Sequence, residues 1–251
     1  MGEYIKTSLV IGGTRGIGSV VAGVLRDRGD RVITLSRREN NDENHISVDL
    51  SSEKQIFQMS KRMGKKPINN LIFCHRYRGD KWRKEFQISL DAIHHIIENL
   101  NKNLTENAAI VIIGSNASRF ILDEQPLSYH ATRAALESLT RYYAVHLGAR
   151  GTRCNCVLVG GTIIKPENAD FFTKNNSVRQ LIEEIRPLGK MGDARDVAYL
   201  AEFLSSNKAS FITGQSIMID GGLSVVSQES IARKLSSLQH PSDTFKNLKE
   251  K

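Results

Sequence analysis

The chain has 251 residues and a mass of 28.0 kDa, with 40% hydrophobic and 25% charged residues. This length suits one α/β domain with a sizeable core, and a second domain is not expected. No apolar run approaches the roughly 18 residues that span a bilayer, so we expect no membrane partner. The net charge is +8, but Lys and Arg are scattered and no nucleic-acid recognition module is visible. Attraction of an anionic cofactor and substrate explains this charge without a nucleic-acid partner.

The N-terminal residues and the cysteines predict a cytoplasmic protein with reduced thiols. The start, Met1 to Lys6, lacks a charged region followed by an apolar one, and Lys6 stands where a myristoylation signal needs Ser or Thr. Cys74, Cys154 and Cys156 have no C-x-x-C spacing, so no metal site is expected. Residues 154 and 156 of one strand would share a face, which favours structural thiols over a disulfide.

A glycine-rich turn follows the first apolar run, between Leu9 and Gly18. A pyrophosphate can approach the peptide N–H groups at a helix N-terminus only where no Cβ atom intervenes, and Gly12, Gly16 and Gly18 give that clearance. The stretch therefore predicts a dinucleotide phosphate cradle. From these residues alone, the alternative is a strand-to-helix turn without a ligand.

The cradle lies within a predicted βαβ unit. A strand is expected over Ser8 to Ile11, a helix from Gly16 to about Arg28, and a second strand over Arg31 to Ser36. An enzyme that binds NAD usually presents an acid at the end of the second strand to the ribose 2′-hydroxyl.

This chain instead has Arg37 and Arg38 at that point. Arg37 would pair with a 2′-phosphate, and Arg15 in the glycine turn could supply a second cation. These residues favour NADP(H) as the cofactor. The alternative is a pair of solvated surface arginines.

Two further strands and a helix are predicted next. His45 to Leu50 reads as a short third strand, and Asp49 at its end is a candidate N-cap for a helix from Ser51 to Met63. Asn70 to Arg76 reads as the fourth strand. We expect His75 to have a packing or surface role rather than to act as an acid or base.

The middle of the chain carries the catalytic candidates. Ser89 to Leu104 has one apolar stripe and predicts a helix, and Ala108 to Ser115 predicts a buried strand that ends in a serine. A helix from Ser128 to Arg141 would place Tyr129 and Arg133, at i and i+4, on one face.

The last third contains a strand, a basic segment and a polar extension. Cys154 to Val159 predicts a strand that runs into Gly160-Gly161-Thr162, and residues 163–190 are expected to form a substrate lid. Residues 227–251 are polar and rich in Lys, with a helix expected around Ser230 to Leu238. This extension is either a disordered tail or an appendage on the lid.

Taken together, these motifs resemble the short-chain dehydrogenase/reductase family over about residues 7–226. The G-x-x-x-G-x-G spacing is the family's form, Tyr129-x-x-x-Arg133 stands where it has Tyr-x-x-x-Lys, and Ser115 lies about 14 positions earlier. The run from Pro187 to Gly222 is similar to that of bacterial 3-oxoacyl-[acyl-carrier-protein] reductases. The resemblance implies an α/β fold, a single Rossmann-type doubly wound parallel sheet of about seven strands with helices on both faces, over residues 1–226.

The resemblance also implies the site residues. Catalytic roles would fall to Ser115, Tyr129, Arg133 and Ser89. Cofactor contacts would come from Gly12, Thr14, Arg15, Gly16, Ile17, Gly18, Arg37, Asp49, Leu50, Cys74, Tyr129, Arg133 and Thr162, with Asp49 accepting from the adenine amino group.

In this family NADPH delivers hydride to a carbonyl carbon, the tyrosine supplies the proton and the serine holds the oxygen. Arg133 would favour the phenolate and hold the nicotinamide ribose, but a guanidinium keeps its protons and cannot serve the relay that Lys allows. The chain also departs from the family's Asn-Asn-Ala-Gly at residues 73–76 and from its Asn at Ser89. Two functions therefore remain: an NADPH-dependent ketone reductase or alcohol dehydrogenase, and a cofactor-binding sensor or partner subunit without redox turnover.

Substrate and assembly are the remaining expectations. The resemblance implies a homo-oligomer, a tetramer or dimer, paired through the helices that begin at Ser89 and Tyr129 and through the segment ending at Asp220-Gly221-Gly222. Basic residues in and near the lid predict a small carbonyl substrate that is anionic, such as a ketone linked to acyl carrier protein or to a nucleotide. These residues are Lys165, Lys174, Arg179, Arg186, Arg119 and Arg150.

Overall fold

The computed structural model describes residues 5–39 and 41–239. Its centre is a seven-stranded parallel sheet in the order β3-β2-β1-β4-β5-β6-β7. The strands are β1 (Thr7–Ile11), β2 (Arg31–Ser36), β3 (His45–Ser47), β4 (Ile68–Phe73), β5 (Leu104–Ser115), β6 (Arg153–Val159) and β7 (Ser216–Ile219). The predicted doubly wound α/β fold is confirmed. Residues 1–4 of the predicted domain and 240–251 of the predicted extension lie outside the described residues.

Nine α-helices are described around this sheet. They are α1 (Gly16–Asp27), α2 (Glu53–Met63), α3 (Trp82–Phe86), α4 (Ala92–Leu100), α5 (Leu127–His146), α6 (Ala169–Lys174), α7 (Asn176–Glu184), α8 (Ala194–Ser205) and α9 (Gln228–Gln239). A π-helical turn, Gln87–Asp91, joins α3 to α4. The helix α9 starts two residues before the predicted helix of the extension, and Lys234 binds Glu184 at the end of α7 with an Nζ–Oε1 distance of 3.3 Å.

The strands are apolar on both faces because helices cover both faces of a parallel sheet. In β1, Leu9 and Ile11 join the core formed with α2, α4 and α5, while Val10 points into the core formed with α1 and α8. Cys154 and Cys156 are buried free thiols in the first of these cores, as predicted.

Some predicted boundaries are wrong. The helix expected over Ser89 to Leu104 begins earlier, at Trp82, and Leu104 is already the first residue of β5. The third and fourth strands end at Ser47 and Phe73, because the chain turns away from the sheet where the cleft opens.

The strand order reverses between the adjacent strands β1 and β4: β1 to β3 run towards one edge of the sheet, and β4 to β7 run towards the other. The loops after β1 and β4 therefore diverge to opposite faces and leave a crevice at the carboxyl edge of the sheet, which is where ligands bind in open α/β folds.

Candidate active site

Two adjoining clefts lie at this edge, and every predicted site residue except Gly18 and Ser89 lines one of them. The larger cleft, of about 440 Å³, is lined by Gly12, Thr14, Arg15, Arg37, Asp49, Leu50 and Cys74. The smaller cleft, of about 270 Å³, is lined by Arg15, Gly16, Ile17, Cys74, Ser115, Tyr129, Arg133 and Thr162. The predicted phosphate cradle and the catalytic candidates thus line adjoining clefts that share residues.

The glycine turn is built so that backbone passes close to backbone. Gly12 has a φ of +79°, and a Cβ there would be 2.7 Å from the backbone nitrogen of His75. A Cβ on Gly18 would overlap the Gly12 carbonyl oxygen, so Gly18 allows α1 to start directly against the turn without itself lining a cleft. The N-terminus of α1 consequently opens into the smaller cleft, where its N–H groups favour an anion.

A carboxylate of residues 163–190, the predicted lid, lies at this helix start. The Glu167 Oε1 atom would be 2.8 Å from a Cβ atom on Gly16, and the same oxygen is 3.5 Å from Nη2 of Arg78 in the loop after β4. Glu167 and Arg78 thus form a link that joins the lid to the loop after β4 beside the cradle.

The larger cleft is strongly basic at the end of β2. Arg37, Arg38 and Arg15 all line it. Asp49 lines it too, but Asp49 is not the helix N-cap: Ser52 caps α2 by accepting from the Gln55 N–H.

Asp49 instead fixes its own turn. Its Oδ1 atom accepts from the backbone N–H and the hydroxyl of Ser51, both at 2.9 Å, and its N–H donates to Gln55. These bonds hold the carboxylate at the end of β3 in place.

Ser115 and Tyr129 come together in the smaller cleft from two elements. Ser115 is the last residue of β5, and its hydroxyl accepts from the Ala117 N–H at 3.2 Å. Tyr129 lies in the first turn of α5 and is only 8% exposed.

Arg133 lies beneath the tyrosine ring and is paired with an acid that the sequence did not reveal. Its Cζ atom is 4.7 Å from the Tyr129 ring centroid, and its Nη2 donates to Glu85 Oε1 at 2.9 Å. Thr132 donates to the same oxygen. Arg133 and Glu85 are both almost wholly buried, so their ion pair is shielded from solvent. The Arg133 Nε atom has no partner among the described residues.

Glu85 was missed because the helix was expected to start at Ser89. Glu85 lies in the charged run Lys81-Trp82-Arg83-Lys84-Glu85, which reads as a solvated surface. Once the predicted helix is extended back to Trp82, Glu85, Ser89 and Ala92 have the spacing i, i+4 and i+7 of one helix face, and all three are buried. That spacing was the available signal.

The chain lacks the family's amide side chains at residues 73–76 and at Ser89, and other side chains occupy these positions. Ser89 lies outside both clefts, and its hydroxyl accepts from the Tyr77 N–H at 3.3 Å. His75 lines both clefts and donates from Nε2 to the Ile88 carbonyl at 2.8 Å. Burial lowers the pKa of His75 to about 4, so the imidazole is neutral at neutral pH and its Nδ1 is a buried acceptor without a partner within the described chain. Burial also raises the pKa of the Cys74 thiol to about 12, which makes it unreactive.

The predicted set of substrate-facing cations is largely wrong. Of the six, only Lys165 lines the smaller cleft. The other five do not line it. Arg119 pairs with Glu137, and Arg179 pairs with Glu183. Arg150 donates to the Leu104 carbonyl and Arg186 to the Thr162 carbonyl, while Lys174 is exposed on α6. The cleft receives other cations instead, Arg76 and Arg78.

Within residues 5–39 and 41–239, no helix is long and apolar enough to cross a bilayer. The same ranges contain no group of three or more His, Cys, Asp or Glu side chains suited to a metal ion.

Known proteins resemble this chain over most of its length. Residues 12–224 match the family model described as Enoyl-(Acyl carrier protein) reductase. A 3-oxoacyl-[acyl-carrier-protein] reductase of Rickettsia prowazekii is 27% identical over 88% of this chain and 98% of its own, and a tropinone reductase homolog of Arabidopsis thaliana is 30% identical over 88% and 92%.

Solved structures agree in fold. Ligand-free aldohexose dehydrogenase of Thermoplasma acidophilum superposes with a TM-score of 0.80 at 24% identity, covering 89% of this chain and 96% of its own. The RhlG/NADP complex of Pseudomonas aeruginosa gives a TM-score of 0.73 at 24% identity over 87% and 96%. The matched family model and the relatives together show that the chain is an oxidoreductase of the short-chain dehydrogenase/reductase family.

Proposed function

We propose that the protein is an NADPH-dependent reductase of ketones, or the corresponding secondary-alcohol dehydrogenase, with Tyr129 as the proton donor and acceptor. The observation that carries this proposal is the shared cleft: Ser115 and Tyr129 line the same depression as the glycine turn. A nicotinamide cofactor bound along that depression would bring its hydride to the tyrosine end.

The cofactor site fits the residues present. The backbone approach at Gly12 and the N-terminus of α1 suit a pyrophosphate. Two buried atoms have no partner among the described residues: His75 Nδ1 could accept from a ribose hydroxyl, and Arg133 Nε could donate to a ribose ring oxygen. When bound, NADPH supplies the hydride. Asp49 and Leu50 would lie at the adenine end and Thr162 at the nicotinamide end.

Two residues of the chain would bind and protonate the carbonyl oxygen of the substrate. The Ser115 hydroxyl donates to it, and the Tyr129 hydroxyl gives it the proton. Arg133 places its guanidinium against the Tyr129 ring, while Glu85 holds that guanidinium in place and offsets part of its charge.

We expect NADPH to bind more tightly than NADH. A charge-assisted contact to phosphate is worth roughly 1.5–3 kcal/mol, so Arg37→Ala should weaken NADPH binding by about 10- to 150-fold and leave NADH binding unchanged. Arg31→Ala is the matched control, since it removes an exposed arginine from the opposite end of β2. Fluorescence titration of both cofactors measures the result. Equal NADPH and NADH affinities in the wild type would refute the role of Arg37 and Arg15.

We also expect a homo-oligomer, a dimer or tetramer. The helix α5 leaves three large side chains in solvent, with Leu127 72%, Tyr142 54% and Val145 77% exposed. Packing against another copy would cover them. Light scattering should give a mass that is a multiple of 28.0 kDa. Val145→Asp should lower this mass, whereas the control Val178→Asp on α7 should leave it unchanged. A monomeric mass for the wild type at micromolar concentration contradicts this expectation.

The second candidate, a cofactor-binding sensor without turnover, is favoured by one observation. Ser89 is bound to the Tyr77 N–H and Arg133 to Glu85, so the residues at these two family positions do not form a proton relay to solvent. NADPH binding without turnover of any carbonyl compound would support this candidate.

A further inference from the structure

The ring of Tyr129 lies near two guanidinium groups that differ in their surroundings. Arg133 is buried and its charge is matched by Glu85. The Cζ atom of Arg76 is 5.9 Å from the ring centroid, and Arg76 is exposed. Arg76 makes no ion pair with any described carboxylate, so its charge remains available to a ligand.

Lys165 brings a second positive charge to the same cleft, from the predicted lid. It is half-buried and lines the cleft. Burial lowers the pKa of Lys165, and the nearby charges of Arg76 and Arg78 lower it further, against the opposing effects of Glu167 and Tyr129. Lys165 and Arg76 thus line the same cleft.

Among the described residues, neither acid that lines this cleft forms an ion pair with Arg76 or Lys165. Glu167 is bound to Arg78, and Glu124 forms no ion pair with a described residue. Two like charges beside each other in a partly desolvated cleft are unfavourable unless an anion joins them. The arrangement is thus complementary to an anion bound in this cleft beside the Tyr129 ring.

We propose that Arg76 and Lys165 form a carboxylate-binding subsite, and that the substrate is a small oxo acid whose carboxylate lies within a few bonds of its carbonyl group. A guanidinium can bind a carboxylate through two parallel hydrogen bonds, and the ammonium adds a third donor. The proximity of Arg76 to the Tyr129 ring places this charge near the reacting carbonyl, not at the end of a long carrier. This inference rests on the proposed reductase function for the choice of a carbonyl compound.

The test compares acids with their neutral esters. The probes are 3-oxobutanoate and 4-oxopentanoate, each paired with its methyl ester, and the variants are Arg76→Gln and Lys165→Gln. Lys174→Gln is the charge-matched control, because Lys174 is an exposed lid residue that does not line the cleft. Turnover with NADPH, calorimetric binding of the probes to the NADP⁺ complex, and NADPH affinity are measured for each protein.

We expect the wild type to prefer at least one acid over its ester by about tenfold or more in kcat/KM. Each variant should lose about tenfold for that acid, through KM, with little change for the ester or for NADPH affinity. The control should match the wild type. Equal handling of acid and ester by the wild type overturns the proposal. The proposal is also overturned if the variants lose NADPH affinity but keep the preference for the acid, because the two cations would then bind the cofactor and not the substrate.

The experiment also distinguishes failure of this subsite from failure of the proposed reductase function. If no ketone is reduced, the calorimetric measurement still decides the subsite: acid binding that exceeds ester binding and falls in Arg76→Gln and Lys165→Gln supports it. Absence of that difference rejects it.

Discussion

Tyr129→Phe should lower ketone turnover by about 100- to 10,000-fold while NADPH affinity stays within about twofold of the wild type. The ring remains in place over Arg133, so packing and the cofactor cleft are preserved. Only the hydroxyl that would donate the proton is lost. Steady-state kinetics and fluorescence titration give the two numbers.

A second tyrosine on α5 provides the control. Tyr142 is half exposed and does not line the cleft with Ser115, so Tyr142→Phe should leave turnover unchanged. Turnover that survives Tyr129→Phe would reject the catalytic role and leave the cofactor-binding sensor as the better account.

Glu85→Ala should destabilise the protein by about 3–5 kcal/mol, because it leaves the buried Arg133 charge without its partner. The hydroxyl of Thr132 loses one of its two acceptors at the same time and keeps the Tyr129 carbonyl. Denaturant unfolding followed by fluorescence measures the change. A loss below about 1 kcal/mol would mean that solvent or another group replaces Glu85.

Two further variants separate stability from chemistry. The double change Glu85→Leu with Arg133→Met removes both charges and should recover most of the stability, since a buried ion pair can be replaced by apolar side chains at little cost. It should not recover turnover if Arg133 supports the phenolate. Arg133→Lys keeps a cation and should preserve or raise the rate, whereas weaker substrate binding in that variant would assign Arg133 to a substrate anion.

The fold was predictable because the signals were local and repeated. Leu9 to Ile11 and Ala108 to Ser115 are apolar on both faces, which indicates a parallel sheet, and the glycine turn marks the first strand-to-helix junction. Ser115 and Tyr129 were assigned to one site because their spacing and the glycine turn upstream resemble the family pattern.

The charges around the tyrosine were not predictable in the same way. Glu85 and Arg76 are distant in sequence from Tyr129, and both occur among other charged residues that resemble a solvated surface. Their roles depend on long-range packing: α3 lies against α5, and the loop after β4 turns over the cleft instead of continuing the strand. The prediction that the basic residues of the predicted lid face the substrate was wrong for the same reason. Arg186, for example, is buried and donates to the Thr162 carbonyl.

The position of Glu167 beside the start of α1 has a kinetic consequence. A pyrophosphate bound at that helix start would displace the Glu167 carboxylate, so we expect a closed form, with the carboxylate at the helix start, and an open form that admits the cofactor. If the open form is about 1% of the population, the apparent affinity is about 100-fold weaker than the intrinsic one. The observed association rate would then level off with rising cofactor concentration at the rate at which Glu167 leaves, so residue 167 would control how fast the protein loads.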